Sequence, residues 1–213
     1  MSIPLVTCIM PTANRQEFIP FAIDNFLKQD YSNAELVIID DGIKSCADLI
    51  PDNNQICYFY TEPISTIGKK RNVACEKANG EFILNWDDDD WYAPDWISRQ
   101  VNLLLISGAD ITGLNKIVFY STSLQQYLGY EDAEHHKWLC GATLAFKKSI
   151  WKCHPFADLQ VGEDSDFIFN TKGQIAVLDY PNGFIATLHD HNTSIKNLKN
   201  INTVTWMDQT NTI

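Results

Sequence analysis

The stretch EFILNWDDDDWYAP, residues 81–94, ends an apolar run in four consecutive aspartates, residues 87–90, which we call the aspartate cluster. Apolar residues 82–84 precede the cluster and aromatic residues 91 and 92 follow it, so the flanking chain is typical of a protein core. Neighbouring carboxylates repel one another, and no basic residue lies nearby in the sequence. Positive charge must therefore come from elsewhere. An exposed acidic loop is the alternative, and the aromatic neighbours argue against it.

The composition predicts one domain over residues 1–213. Hydrophobic residues make up 45% of the chain, enough for a sizeable core. A net charge of -11 argues against a nucleic-acid partner, which would need a basic face, and against attraction to an anionic membrane surface.

Location is predicted from the cysteines and from the N-terminal segment. The 6 cysteines are scattered without a C-x-x-C pair, and the first residues lack the pattern of a signal peptide. No run approaches the roughly 20 apolar residues of a spanning helix, so we expect at most peripheral membrane association. These features predict a cytoplasmic protein with free thiols.

The first half alternates apolar runs with segments of helical periodicity. Strands are predicted over 5–10, 35–42, 56–62 and 81–86, and helices over 16–28, 68–80 and 93–108, the last two each ending in a glycine. This order predicts an α/β fold in which helices flank a mostly parallel, Rossmann-like sheet. Ligands bind such sheets at the carboxyl ends of the strands. Residues 11–12, 40–41 and the aspartate cluster all fall at those ends.

The second half is less regular. We predict strands over 110–121 and 140–146, a short helix over 162–173, and a hairpin-like pair over 174–190. The tail from residue 196 is polar, and we expect it to be loosely held.

The aspartate cluster has the chemistry of a divalent metal site. Carboxylate oxygens suit Mg²⁺ or Mn²⁺, and Mg²⁺ is usually held by one or two carboxylates together with substrate phosphates. On an extended backbone Asp87 and Asp89 would face one side, and Asp88 and Asp90 the other.

Three other groups of residues add weaker signals. The run GKKR, residues 68–71, opens a predicted helix, where an anion is favoured, although an exposed basic turn is equally compatible. Asp164 and Glu163 open the predicted helix 162–173, where a carboxylate can act as a general base or cap the helix. His189 and His191 follow a predicted strand and could complete a metal site.

Together, and in this order along the chain, these pieces resemble an inverting glycosyltransferase of family 2 with the GT-A fold. The resemblance covers residues 4–195 and rests on VTCIMPTANR (6–15), VIIDDG (37–42), GKKRNVACEKANGEFI (68–83), DDDDWYAPD (87–95) and GEDSDF (162–167). It implies a nucleotide-sugar-binding half over 1–108, an acceptor and catalytic-base half over 109–195, and a polar tail over 196–213.

The resemblance implies a nucleotide-sugar donor, usually a UDP-sugar, held through divalent Mn or Mg. The sugar would pass to a hydroxyl of a carbohydrate or glycoconjugate acceptor, in polysaccharide or glycoconjugate synthesis. The D-x-D pattern of the family maps best onto Asp87 and Asp89, with Asp89 as the direct metal ligand. Asp88 would contact the ribose. A histidine contact to the metal or diphosphate favours His189 over His191.

The same resemblance assigns the remaining site residues. Asp41 would contact the nucleoside, Pro11 and Thr12 would pack on the base or ribose, and Arg71 would lie near the nucleotide. In a separate role, Asp164 would be the catalytic base, with Glu163 orienting the acceptor or substituting for it.

Alternative functions make different demands on the sequence. A sugar nucleotidyltransferase should carry a glycine-rich loop after the first strand, and MPTANR, residues 10–15, has no glycine. A phosphatase with an aspartate nucleophile should carry its paired aspartates after the first strand. A non-catalytic nucleotide-binding module stays open, and in that case a change at Asp164 would alter nothing measurable.

Overall fold

Short apolar segments of this chain form strands that alternate with helices. The computed structural model describes residues 3–131, 138–190, 192 and 202–203. The strands are β1 (Val6–Thr12), β2 (Ala34–Asp40), β3 (Ile56–Tyr60), β4 (Phe82–Asn85), β5 (Trp91–Tyr92), β6 (Ile111–Gly113), β7 (Lys116–Ser121), β8 (Gln126–Glu131), β9 (Ala145–Lys147), β10 (Ile175–Val177), β11 (Phe184–Leu188) and β12 (Asn202–Thr203). The helices are α1 (Ile19–Leu27), α2 (Ile67–Lys77), α3 (Trp96–Ser107), α4 (Lys148–Cys153) and α5 (Glu163–Asn170).

Seven strands form the main sheet, in the order β10-β6-β9-β4-β1-β2-β3. Strand β1 pairs in parallel with β2 and β4, and β2 pairs in parallel with β3. Strand β10 likewise pairs in parallel with β6. Only β9 runs antiparallel to its neighbours within the part of the sheet that the structure describes. The prediction of a mostly parallel sheet flanked by helices is confirmed.

Alternation along β1 builds a core on each face of the sheet. Val6, Cys8 and Met10 pack in a cluster with apolar residues of α1 and α3, whereas Ile9 faces a second cluster that includes residues of α2 and α5. Both faces of the central strand are buried, as expected of a parallel sheet with helices on both sides. The polar groups after β1, β2 and β4 therefore come together at one edge.

A second sheet, not anticipated from the sequence, has the order β12-β8-β7-β11-β5. The hairpin predicted over 174–190 is wrong. β10 pairs in parallel with β6 in the main sheet, whereas β11 pairs in parallel with β7 in the second sheet. A 3-10 turn at Pro181–Gly183 carries the chain from one sheet to the other. Turn residues between two apolar runs do not specify which strands those runs pair with.

Several predicted boundaries change for local reasons. The strand predicted over 110–121 is divided into β6 and β7. Within the strand predicted over 140–146, Gly141–Thr143 form a 3-10 turn, and strand β9 begins only at Ala145. Gly108 ends α3 with φ 71, as predicted. Gly80 is not the helix stop, because α2 ends at Lys77. A Cβ on Gly80 would lie 2.5 Å from the Thr7 backbone nitrogen, so this glycine permits close packing.

The predictions about location are tested only in part. All 6 cysteines are free. Among the described residues, no helix combines the length and the apolar character needed to cross a membrane. The predicted tail, 196–213, lies outside the described residues except for β12, and the cytoplasmic location stays a prediction.

Candidate active site

A cleft of about 840 Å³ opens where β1, β2 and β4 end. Its other walls come from the segments around residues 138–142, 160–165 and 186–192. Apart from His189, every site residue predicted from the sequence lines this cleft: Pro11, Thr12, Asp41, Arg71, Asp87, Asp88, Asp89, Glu163 and Asp164. The structure therefore brings together residues that lie up to 153 positions apart in the sequence.

Aromatic side chains hold the turn that carries the aspartate cluster. The Trp86 ring stacks on Tyr92 with centroids 4.0 Å apart. The Asp87 N–H donates to the Tyr92 hydroxyl at 2.8 Å. Both aromatic side chains are buried, so they fix the backbone after β4. The alternation expected of an extended backbone does not hold, because the chain turns at residues 88–89.

Two carboxylates of the cluster are held by elements distant in sequence. Asp88 accepts a hydrogen bond from Thr12 Oγ1 at 2.6 Å and lies 3.0 Å from Arg15 Nη1. Asp90 accepts the backbone N–H of Thr187 at 2.9 Å. Thus β1, the loop after it and β11 all bind the cluster.

Asp89 has three nitrogen partners at one oxygen. Its Oδ2 pairs with Arg15 Nη2, lies 2.9 Å from His189 Nε2 and 3.2 Å from Asn192 Nδ2. The Phe18 ring stacks on the His189 ring, with their centroids 4.8 Å apart, and so helps to hold the imidazole in place. The predicted proximity of His189 to the cluster is therefore observed, although its role stays a prediction. His191 lies outside the described residues.

Burial changes the protonation behaviour of the cluster. Desolvation raises the pKa of Asp88 to about 7, although Arg15 opposes the shift. It also raises the pKa of Asp90 well above the usual range, with the neighbouring aspartates adding to the effect. The pKa of Asp87 is raised by burial and opposed by Arg71. Negative charge in this turn is thus unfavourable by itself, and a cation would stabilise it.

Arg71 joins the two walls of the cleft. Its Nη2 lies 3.4 Å from Asp87 Oδ1 and its Nη1 lies 3.5 Å from Glu163 Oε1. The side chain is buried, and within the described part of the chain its Nε and Nη1 atoms have no hydrogen-bond partner. Buried N–H donors without acceptors are unfavourable, so this guanidinium is suited to an anionic ligand.

The two lysines of the GKKR run have carboxylate partners of their own. Lys70 pairs with Asp41 and donates to the Thr12 carbonyl oxygen at 3.2 Å. Lys69 pairs with Asp158 at 2.7 Å on the exposed surface. The run is therefore not a simple exposed basic turn, because its third and fourth residues, Lys70 and Arg71, line the cleft.

The neighbouring aspartates Asp40 and Asp41 have different surroundings. Asp40 is buried and accepts the backbone N–H groups of Gly42 and Cys46, both at 2.9 Å, so it stabilises the turn after β2. Asp41 lines the cleft and accepts the Ile64 N–H at 2.8 Å. The position of Asp41 fits the nucleoside contact implied by the family resemblance, which stays a prediction.

Asp164 lies at the start of α5, on the opposite wall. Among the described residues, its carboxylate accepts one hydrogen bond, from the Ser165 N–H at 2.7 Å. Gly141 lies against it, since a Cβ at that position would be 2.0 Å from Asp164 Oδ2. Asn85 Nδ2 donates to the Gly141 carbonyl oxygen at 2.6 Å, which fixes the glycine to the end of β4. Next to Asp164, burial raises the pKa of Glu163, and Arg71 opposes that shift.

The residues of the aspartate cluster and their neighbours fit a divalent cation only in part. No group of three or more His, Cys, Asp or Glu side chains among the described residues is arranged to hold one. Asp89 Oδ2 and His189 Nε2 nevertheless lie 2.9 Å apart. Two adjacent donors about 2.1 Å from an octahedral ion lie about 3 Å apart, and such ions complete their shell with water and phosphate oxygens. The pair therefore fits two positions of a cation site.

Sequence reasoning missed Arg15 and Asn192. Arg15 is part of the VTCIMPTANR segment, but its contact with Asp89 spans 74 residues. The Asn192 contact with Asp89 spans 103 residues. Neither contact has a local sequence signal.

Comparison with known proteins gives consistent matches. The family model described as Glycosyl transferase family 2 matches residues 7–157. The putative colanic acid biosynthesis glycosyl transferase WcaA of Escherichia coli is 38% identical over 100 residues, which cover 45% of this chain and 36% of that protein. The putative teichuronic acid biosynthesis glycosyltransferase TuaG of Bacillus subtilis is 26% identical over 143 residues, which cover 61% of this chain and 57% of that protein. The chain spans less than half the length of several curated relatives that it matches, WcaA among them.

Solved structures share the fold. TarS 1-349 of S. aureus, in complex with UDP, gives a TM-score of 0.70 at 20% identity and covers 86% of this chain and 60% of that one. The mannosyltransferase PcManGT of Pyrobaculum calidifontis, in complex with GDP-Man and Mn2+, gives a TM-score of 0.65 at 18% identity. The match covers 88% of this chain and 57% of that one. The predicted GT-A type fold is confirmed.

Proposed function

The chain belongs to glycosyl transferase family 2, and from that premise we propose that it is an inverting, metal-dependent glycosyltransferase. Its donor would be a UDP-sugar, and its acceptor a hydroxyl group of a carbohydrate or glycoconjugate in polysaccharide synthesis. Two relatives are named for colanic acid and teichuronic acid biosynthesis, and the TarS structure contains UDP. These names support the choice of donor and pathway class.

One observation carries the proposal. The aspartate cluster and Asp164 line the same cleft, and the buried Arg71 contacts a carboxylate on each wall. An inverting transfer needs a leaving-group site on one side of the sugar and a base on the other. Two acidic groups on separate walls of one cleft meet that requirement.

Binding is assigned to the wall formed by β1, β2 and β4. Asp89 and His189 would hold Mn²⁺ or Mg²⁺. A bound cation would neutralise charge on the diphosphate leaving group. The N–H groups of Arg71 that lack a hydrogen-bond partner among the described residues would donate to phosphate oxygens. Asp41 would contact the nucleoside, Asp88 the ribose, and Pro11 with Thr12 the base or ribose.

Chemistry is assigned to the wall formed by α5. Asp164 would accept the proton of the acceptor hydroxyl as that oxygen attacks the anomeric carbon. With one hydrogen bond from Ser165 among the described residues, its carboxylate keeps acceptor capacity. Glu163 is held by Arg71 and would orient the acceptor, or replace Asp164 as the base.

The experiment that tests the proposal is a panel of nucleotide sugars measured by thermal shift with and without Mn²⁺, followed by transfer with the donor that binds. Saturation at about 100 times Kd adds about 2.7 kcal/mol of stability, which raises Tm by about 5–10 °C for a chain of this size. We expect this rise in Tm for UDP-sugars when Mn²⁺ is present, and no rise when Mn²⁺ is left out. A response restricted to GDP-sugars would refute the UDP assignment. No response to any nucleotide would refute the function.

A further inference from the structure

Arg15 occupies a central position in the acidic turn. Its Nη1 lies 3.0 Å from Asp88 Oδ1, while Nη2 pairs with Asp89 and lies 3.2 Å from His189 Nε2. The side chain is only 17% exposed, and its guanidinium carbon lies 5.1 Å from the centre of the Phe18 ring. The guanidinium is thus held by two carboxylates, an imidazole and an aromatic face.

The contacts of Arg15 coincide with the atoms that would bind a cation. Nη2 contacts both Asp89 Oδ2 and His189 Nε2, the two donors that fit one divalent ion. Asn192 Nδ2 donates a hydrogen bond to the same carboxylate oxygen, Asp89 Oδ2, at 3.2 Å. A carboxylate oxygen has about two lone-pair sites, so it cannot bind these nitrogens and a metal ion at once.

On this geometry, and resting on the proposed metal-dependent function, we propose that Arg15 is an internal counter-ion. Its guanidinium occupies the cation position in the ligand-free protein and leaves Asp89 when a divalent ion enters with the nucleoside diphosphate. Arg15 lines the same cleft. The displaced guanidinium therefore stays within the cleft and pairs with the diphosphate, whose anionic oxygens replace Asp89 as its partners.

This exchange couples the two ligands. Without nucleotide, a metal ion must displace a buried, charge-assisted pair and leave the guanidinium without a new partner, so metal binds weakly. With a nucleoside diphosphate present, the guanidinium gains new anionic partners and the ion binds more tightly. By linkage, the metal ion then raises the affinity for the nucleotide by the same factor.

The test measures Mn²⁺ affinity from the electron paramagnetic resonance signal of free Mn²⁺, first without nucleotide and then with UDP. In Arg15→Gln we expect nucleotide-free Mn²⁺ affinity to rise on the order of tenfold, because the competing charge is gone. The enhancement by UDP should shrink. Arg15→Lys keeps a positive charge that can pair with Asp89, so it should bind nucleotide-free Mn²⁺ as weakly as the wild type.

Arg99→Gln is the matched control. It removes the same charge and another arginine–aspartate pair, Arg99 Nε with Asp95 Oδ2 at 2.6 Å, on an exposed part of α3 outside the cleft. Any tightening caused by net charge alone would appear there too. Equal affinity in wild type and Arg15→Gln, or equal tightening in Arg99→Gln, would overturn the proposal while the metal-dependent function stands. No Mn²⁺ binding by any form, with or without UDP, would overturn both.

A second measurement uses only the wild type, in case Arg15→Gln does not fold. Crystals grown without ligand and then soaked with Mn²⁺ and UDP should have the guanidinium away from Asp89 and on the diphosphate. An ion bound at Asp89 with the Arg15–Asp89 pair intact would overturn the proposal.

Discussion

The two acidic walls of the cleft differ in how their carboxylates are held. Asp88, Asp89 and Asp90 each have partners from distant elements, including Thr12, Arg15 and the backbone N–H of Thr187 in β11. Asp164 accepts one hydrogen bond among the described residues, from the amide that follows it. Groups fixed by many partners form a rigid binding surface, whereas a group with spare acceptor capacity can take a proton. The difference supports the proposed assignment of binding to the first wall and of chemistry to the second.

The largest expected effect is that of Asp164→Asn, which should change the transfer rate without changing nucleotide affinity. Asp164→Asn removes the proposed catalytic base, so the transfer rate should fall by about 10³-fold. Affinity for UDP with Mn²⁺ should not change, because the amide leaves the other wall intact. Turnover with labelled donor measures the first quantity and calorimetry the second.

Asp166→Asn is the control for this substitution. Asp166 lies on α5 two residues further on, where it hydrogen-bonds Asn170 at 2.6 Å, and it does not line the cleft. The Asp166→Asn variant should therefore transfer the sugar at the wild-type rate. Full activity in Asp164→Asn would remove the assignment of chemistry to this wall and favour Glu163 or a non-catalytic module.

A smaller effect should follow from moving the Asp164 carboxylate without removing it. In Gly141→Ala, the new Cβ would lie 2.0 Å from Asp164 Oδ2, so the carboxylate must shift. A displacement of about 1 Å lowers the rate by about 10²-fold. We expect lower kcat with unchanged UDP affinity.

For comparison, Gly173→Ala adds the same methyl group outside the cleft, where the nearest atom is 3.1 Å away. It should leave kcat unchanged. If both variants had wild-type kcat, the position of Asp164 would not matter to the reaction.

The smallest effect concerns the stability contributed by Glu163. Burial raises its pKa above the ordinary value of 4.5 in the folded protein. The folded state therefore binds more protons than the unfolded state above pH 4.5, and the contribution of Glu163 to stability falls as pH rises through the folded pKa. Glu163→Gln lacks this titration.

Urea unfolding at a series of pH values measures the difference. The free energy of unfolding of wild type minus that of Glu163→Gln should be largest below pH 4.5 and should decrease as the pH rises toward neutral. A difference that grows with pH would mean that Arg71 lowers the pKa of Glu163, and that the ion pair outweighs burial.

The fold was largely predictable because its signals are local. Apolar runs identified β1, β2 and β4, of which β2 and β4 lead into acidic residues. Helical periodicity with Gly108 identified α3. Pairing in the second half was not predictable, since β10 and β11 join different sheets across a short turn. Short strands carry little information about their partners.

The site was predictable in its acidic residues and not in their partners. Resemblance to the family placed Asp89 and Asp164 on one cleft. Arg15 and Asn192 approach Asp89 from 74 and 103 residues away, and only the folded chain brings them there. Long side chains from loops can satisfy a buried carboxylate from many directions, so sequence spacing does not reveal them.

Calorimetric titration of UDP in the presence of Mn²⁺, on wild type, Asp89→Ala and Asp164→Asn in parallel, tests the division between binding and chemistry most directly. The division predicts that Asp89→Ala loses the Mn²⁺-dependent affinity and that Asp164→Asn keeps it. Unchanged affinity in Asp89→Ala would contradict it, because the aspartate cluster would then not be the cation and diphosphate site.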